Sequence, residues 1–156
     1  MAGILIVAHA PLASALRDCL KHIYCGLPAR IGAIDVLPDS DPAAVEDVAR
    51  AEIERLKDSN GALVFSDLYG ATPANIAGRL ATIPNVRVLA GVNLPMLLRA
   101  ICYRSTSLDL LVEKTLAGGT NGIQAVTPQS APYVFPVPPV TCPSEHHAAR
   151  RNHHHQ

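Results

Sequence analysis

The chain has no excess of charge of either sign, and that absence is the first constraint on its partners. Thirteen Lys and Arg stand against thirteen Asp and Glu in 156 residues. No electrostatic footprint therefore points to nucleic acid or to an anionic membrane surface, and partners must be recognised by shape. The chain also lacks any uninterrupted apolar stretch of the roughly 18 residues that a spanning helix needs. Its 49% hydrophobic residues are spread over short runs broken by polar ones. No basic segment precedes the first apolar run, so the pattern of a secretory signal is missing. These absences together give the expectation of a soluble cytoplasmic protein with no direct membrane insertion.

Three motif classes are missing as well. Cys19, Cys25, Cys102 and Cys142 form no C-x-x-C pair, and in a reducing compartment they read as free thiols in packing positions. Cys19, His22 and Cys25 fall three apart and could share a helix edge as metal ligands, although helix packing accounts for Cys19 without a metal. Neither G-x-G-x-x-G nor a Walker lysine motif follows any apolar run, which weighs against a flavodoxin-like module that takes a nucleotide or flavin. The chain shows no internal repeat beyond alternation of strand and helix patterns.

What is present begins at the first residues. Ile4 to Ala8 is a short apolar run, rich in β-branched residues and bounded by Gly3 and Pro11, which reads as a strand buried on both faces. His9 falls at its carboxyl end, and Pro11 fits the first position of the next helix. Leu12, Leu16, Cys19, Leu20 and Ile23 recur at helical spacing and predict one apolar stripe that ends before Gly26. Ile31 to Leu37 predicts a second strand, followed by Asp41 as a cap and Pro42 as the first helical residue. Val45, Val48, Ala49, Ile53 and Leu56 make the stripe of the second helix, stopped by Asn60 and Gly61.

The same unit then repeats. Ala62 to Ser66 predicts a third strand, Thr72 and Pro73 a cap and start for a third helix, Val86 to Val92 a fourth strand, and Asn93 the cap of a fourth helix. Ser107 opens a further helix closed by Gly118 and Gly119, and Gly122 to Val126 predicts a short last strand. The fold class expected is α/β, a doubly wound and mostly parallel sheet of order 2-1-3-4 with helices on both faces. From Pro128 the chain turns proline- and histidine-rich, so residues 1–127 are expected to form the domain and 128–156 an extended or disordered tail. His146, His147 and His153 to His155 could chelate a metal, though such clusters bind metal adventitiously, and neither a physiological metal nor a cofactor is expected.

In such a sheet the crevice opens between the ends of the first and third strands, which carry His9 and Asp67. A histidine there either works on an anion or only hydrogen-bonds within a loop. It can carry a phosphoryl group if one ring nitrogen is free and the other is held by an acceptor. Asp67 is placed to be that acceptor. Helix starts near Ala10, Thr72 and Asn93 could offer backbone N–H groups to phosphoryl oxygens, with the Thr72 hydroxyl adding one more. Alternatively, Asp67 only caps a turn and Thr72 only a helix.

The residues that carry these readings resemble a family: the mannose-family IIA component of the bacterial phosphoenolpyruvate-dependent sugar phosphotransferase system. The resemblance runs over about residues 2 to 127. It rests on Gly3 to His9, on Asp67-Leu68-Tyr69-Gly70-Ala71-Thr72-Pro73-Ala74-Asn75, on Gly91-Val92-Asn93-Leu94-Pro95-Met96-Leu97-Leu98, and on Gly122-Ile123-Gln124. It implies that phospho-HPr phosphorylates His9 on Nε2, that Asp67 orients the ring through Nδ1, and that Thr72 stands where the family has a phosphate-contacting serine. Ala10, Gly70, Ala71 and Asn93 then belong to the binding site. It further implies a homodimer that exchanges its last strand. Ala10 and Ala71 replace glycines of the family pattern.

The function so implied is a phosphotransferase with a transient phosphohistidine, passing its group to a separate IIB protein for sugar uptake. The alternative is a regulatory module in which the same phosphorylation reports to a target without sugar transport.

Overall fold

Strand β1 (Gly3–His9) is buried along its whole length except at His9, because it is paired on both edges and covered on both faces. The computed structural model of the chain describes residues 1–128. On one side β1 runs parallel to β2 (Ile31–Val36), with Ala8 opposite Asp35 and His9 opposite Val36. On the other it runs parallel to β3 (Ala62–Ser66), with Val7 opposite Ser66. β4 (Val86–Ala90) lies outside β3, so the order is β2-β1-β3-β4, the 2-1-3-4 order expected.

Strand alternation sorts the apolar run of β1 onto two cores. Ile4, Ile6 and Ala8, with Leu63 and Phe65 of β3, meet α1 (Leu12–Ile23), α4 (Leu94–Tyr103) and α5 (Leu108–Asn121) through Leu16, Leu20, Leu97 and Leu111. Leu5, Val7 and Val64 meet α2 (Pro42–Leu56) and α3 (Thr72–Leu80) through Ile53, Leu56, Ile76 and Leu80. The helices thus cover both faces, as the doubly wound reading requires. Phe65 is fully buried, and truncating such a side chain costs about 3–5 kcal/mol, much of a domain's stability. By the same alternation His9 falls on the α2 and α3 face and Asp35 on the α1 face.

Several helix ends match the expectation. Asp41 accepts the Ala43 N–H at 3.2 Å with Pro42 as first residue of α2, and Asn93 accepts the Met96 N–H at 2.9 Å. Others differ. Pro11 occupies the cap position of α1 rather than its first helical position. Thr72 is the first residue of α3 and not its cap, which falls to Ala71. The second helix already ends at Leu56, and Asn60 and Gly61 instead form the turn into β3. Gly61 is required there: its φ is +78°, and a Cβ would lie 2.0 Å from the Asn85 carbonyl oxygen.

The largest departures concern the end of the domain. Gly118 and Gly119 do not close α5, which continues through them to Asn121. A Cβ on Gly118 would lie 2.1 Å from Arg99 Cγ, and one on Gly119 2.3 Å from Met96 Cγ. These glycines let α5 approach α4, and a packing requirement read as a stop signal. The expected last strand is absent among the described residues: Gly122 caps α5, and Ile123 to Thr127 follow without regular structure.

Leu12 and Val48 are exposed rather than part of a buried stripe, and Cys19 is exposed and not a packing residue. Cys19 and Cys102 are not in disulfides, whereas Cys25, also read as a free thiol, is disulfide-bonded. No helix of the described residues is long and apolar enough to cross a membrane. Except for Pro128, the expected tail lies outside the described residues.

Candidate functional site

His9 and Asp67 reach each other because β1 and β3 are neighbours that end together. Val7 pairs with Ser66, the last residue of β3, so the chain leaves the sheet beside His9 and the next side chain, Asp67, can fold back onto it. Asp67 Oδ2 accepts the His9 backbone N–H at 3.0 Å and contacts His9 Nδ1 at 2.7 Å. Its Oδ1 accepts the Leu68 N–H at 2.9 Å. The histidine side chain is 54% exposed and the aspartate 11%. The carboxylate is therefore inside while the ring faces solvent.

The electrostatics keep Asp67 ionised. Burial pushes its carboxyl up, but hydrogen bonds from the His9 ring and from the backbone N–H groups of His9 and Leu68 outweigh burial and hold it below the ordinary carboxylate range. An ionised carboxylate only accepts hydrogen bonds, so the Nδ1 it contacts carries the proton. Nε2 is then the nitrogen with the free lone pair.

Beside this pair begins α3. Ala71 donates its N–H to the Leu68 carbonyl at 3.2 Å, and Gly70 takes φ +84° in that turn. Ala71 itself has φ −85°, and Ala10 does not fall among the residues with positive φ. Neither alanine takes the positive φ that glycine favours, and the Ala10–Pro11 peptide is cis.

The five helices of the described residues differ in how their first turns are satisfied. A side chain accepts a first-turn N–H in α1 (Asp35 from Ser14), α2 (Asp41), α4 (Asn93) and α5 (Ser107). In α3 none does. Its Thr72 is exposed, and among the described residues neither the Thr72 hydroxyl nor the N–H groups of Thr72 and Ala74 have an acceptor.

The other expected contributors are engaged elsewhere. Ala10 donates its N–H to the Val36 carbonyl at 3.0 Å. The Asn93 side chain, besides capping α4, donates to the Gly119 carbonyl at 3.4 Å. Asp35 was missed in the sequence. Its signal, a carboxylate at the end of an apolar strand run, is visible only once β2 is known to lie beside His9. Leu68 and Tyr69, 61% and 89% exposed, form an apolar rim that exposure alone reveals. Across the loop segments 9–12, 37–41, 67–72 and 91–94 at this edge of the sheet there is no Lys or Arg. Among the described residues no three His, Cys, Asp or Glu side chains gather as a metal site, and the Cys19, His22 and Cys25 set is not one.

Comparison with known proteins places the chain. The chain is 28% identical over 144 residues to the mannose-specific EIIAB component of the phosphotransferase system (PTS) of Escherichia coli K12, a match covering 90% of this chain and 44% of that protein. It thus spans less than half the length of the curated relatives it matches. Phosphotransferase system component EIIA from Streptococcus agalactiae superposes with a TM-score of 0.72 at 28% identity, over 80% of this chain and 97% of that one. The mannose/sorbose-specific IIA subunit from Enterococcus faecalis has the same fold, with a TM-score of 0.71 at 22% identity over 86% and 98% of the two chains. The EIIA-man family model, described as the PTS system fructose IIA component, matches residues 3–116, a span holding all four strands and both members of the His9–Asp67 pair. The chain belongs to this family.

Proposed function

We propose that this protein is a phosphoryl carrier of the phosphotransferase system, with His9 as the group that is loaded and unloaded. The observation that carries the reading is the contact of His9 Nδ1 with the ionised Asp67 carboxylate, which leaves Nε2 of a half-exposed ring free to react.

In the proposed reaction, the Nε2 lone pair attacks the phosphorus of phospho-HPr. The new N–P bond forms as the bond to the donor imidazole breaks, and that ring leaves with the electron pair. His9 then carries positive charge in the ring beside a retained Nδ1 proton, and Asp67 pairs with it. The phosphoryl oxygens are received by the uncapped start of α3, through the N–H groups of Thr72 and Ala74 and the Thr72 hydroxyl, with Gly70 and Ala71 shaping the turn. Transfer to a IIB protein reverses these steps. No proton need leave Nδ1 at any stage.

We take the carrier to act as a cytoplasmic homodimer. The exposed Ile123 and Val126 beyond α5, together with the outer edge of β4, which has no strand partner among the described residues, support a second copy.

Incubation with phosphoenolpyruvate, enzyme I and HPr tests the function. The expected result is acid-labile phosphate on the wild-type chain and none on His9→Ala. A wild-type chain that takes no label would overturn it.

A further inference from the structure

Asp35 belongs to β2, yet its carboxylate serves α1. Oδ1 accepts the Ser14 backbone N–H at 3.0 Å, and Oδ2 lies 2.5 Å from the Ser14 hydroxyl. That hydroxyl is also 3.1 Å from the Pro11 carbonyl. Having one proton, it gives it to the nearer, charged acceptor. Pro11, at the cap position, has no side-chain acceptor of its own. The Ser14 N–H in the first turn of α1 is therefore satisfied from the neighbouring strand instead of from the residue before the helix. One residue beyond Asp35, the Val36 carbonyl accepts the Ala10 N–H at 3.0 Å. The end of β2 grips the turn after His9 from one side, while Asp67 grips His9 from the other.

Occupancy matters as much as the grip. His9 lies between two helix starts: α1, which follows it in the chain, and α3, which follows Asp67. A helix start draws an anion through its unpaired N–H groups and its dipole. At α1 an anion is already in place, supplied by Asp35. At α3 no side chain fills that role.

We propose that Asp35 is a positioning residue for phosphoryl transfer: by filling the start of α1 and fixing the turn after His9, it directs the phosphoryl group on Nε2 to the start of α3. The proposal rests on the phosphoryl-carrier reading. It adds a reason why only one of the two adjacent helix starts receives the group, and it assigns a role to a side chain on the far face of the sheet from His9.

The test uses the full chain with Asp35→Ala, Asp35→Asn, Thr72→Ala and the double variant Asp35→Ala/Thr72→Ala, loaded by phospho-HPr. Rates of loading and the ³¹P resonance of the phosphohistidine are recorded. Asp35→Ala is expected to slow loading by about tenfold or more, since small misplacements of a reacting group are costly. Asp35→Asn, which keeps an acceptor for the Ser14 N–H, should recover most of the rate. The ³¹P resonance should move in Asp35→Ala, and Thr72→Ala should cost less in that background, because the vacated start of α1 then shares the phosphoryl group. A folded Asp35→Ala loaded at the wild-type rate, or a Thr72→Ala factor identical in both backgrounds, overturns the proposal. If Asp35→Ala does not fold, Asp35→Asn decides, because its neutral amide removes the anion from the start of α1 while keeping an acceptor for the Ser14 N–H: a moved ³¹P resonance supports the proposal and an unmoved one overturns it. A wild-type chain that takes no phosphate removes the carrier reading and this proposal together. Loaded wild type with an unaffected Asp35→Ala removes this proposal alone.

Discussion

Asp67 holds His9 twice with one oxygen, at the backbone N–H at 3.0 Å and at ring Nδ1 at 2.7 Å. The double hold fixes both where the ring starts and which nitrogen is protonated. In Asp67→Asn the amide can donate to Nδ1, which moves the ring proton to Nε2, the nitrogen that must attack. Loading of Asp67→Asn by phospho-HPr is expected to fall on the order of 10² to 10⁴-fold while circular dichroism stays unaltered. A wild-type rate would reduce Asp67 to a turn residue.

The same carboxylate gives a pH signature. Its pKa is held below the ordinary range in the folded protein, so the stability it adds is present above its unfolded value, about 3.9, and is lost as pH falls through the folded value. Denaturant unfolding of wild type and Asp67→Asn should therefore differ at neutral pH and converge as pH drops below about 4. A difference that persists unchanged at low pH would show that ionisation of Asp67 is not its source.

At the start of α3, Thr72→Ala deletes a hydroxyl and leaves the backbone donors, whereas Thr72→Ser keeps all of them. Loss of one such donor to a developing oxyanion costs roughly 10² to 10³ at most, and with the backbone donors retained the expected fall in loading rate is about tenfold for Thr72→Ala. Thr72→Ser should load within about twofold of wild type. Rapid-quench measurement of phosphate on the protein separates these outcomes.

Assembly is checked by light scattering. The expected mass is about twice the 16.5 kDa of the chain; Ile123→Asp with Val126→Asp should shift it toward the single-chain value, because those side chains are exposed in the isolated chain. A wild-type monomer at micromolar concentration would remove the dimer from the proposal.

Gly119→Ala probes the close approach of α4 and α5. The added methyl would meet Met96 Cγ at 2.3 Å and approach Asn93 Nδ2 at 3.6 Å, so a loss of about 1–3 kcal/mol is expected in chemical denaturation. No loss would mean that Met96 moves aside freely.

The sheet was legible because its four strands are short apolar runs whose neighbours are caps and turns, and the order follows from doubling back once around β1. His9 and Asp67 were legible for the same reason, each being the polar residue at the end of such a run. What was not legible depended on contacts between distant segments. Gly118 and Gly119 read locally as a helix stop, but Arg99 and Met96 require them inside the helix. Thr72 read as a cap, while the turn through Gly70 starts the helix one residue earlier than the cap pattern implies. The service of Asp35 to Ser14, 21 residues away in sequence, has no local signature at all.

If His9 carries a phosphoryl group as proposed, the lack of lysine and arginine on the loops around it bears on how partners come and go. A phosphohistidine adds up to about two negative charges, and no side-chain cation on these loops offsets them, so the load is broadcast as a local potential beyond the apolar rim of Leu68 and Tyr69. A partner with positive charge beside its own site senses that potential before contact and binds the loaded form faster, with an advantage that fades as salt is raised. When the group moves on, the potential goes with it. In the proposed cycle, the event that fills the acceptor would also remove what drew it in.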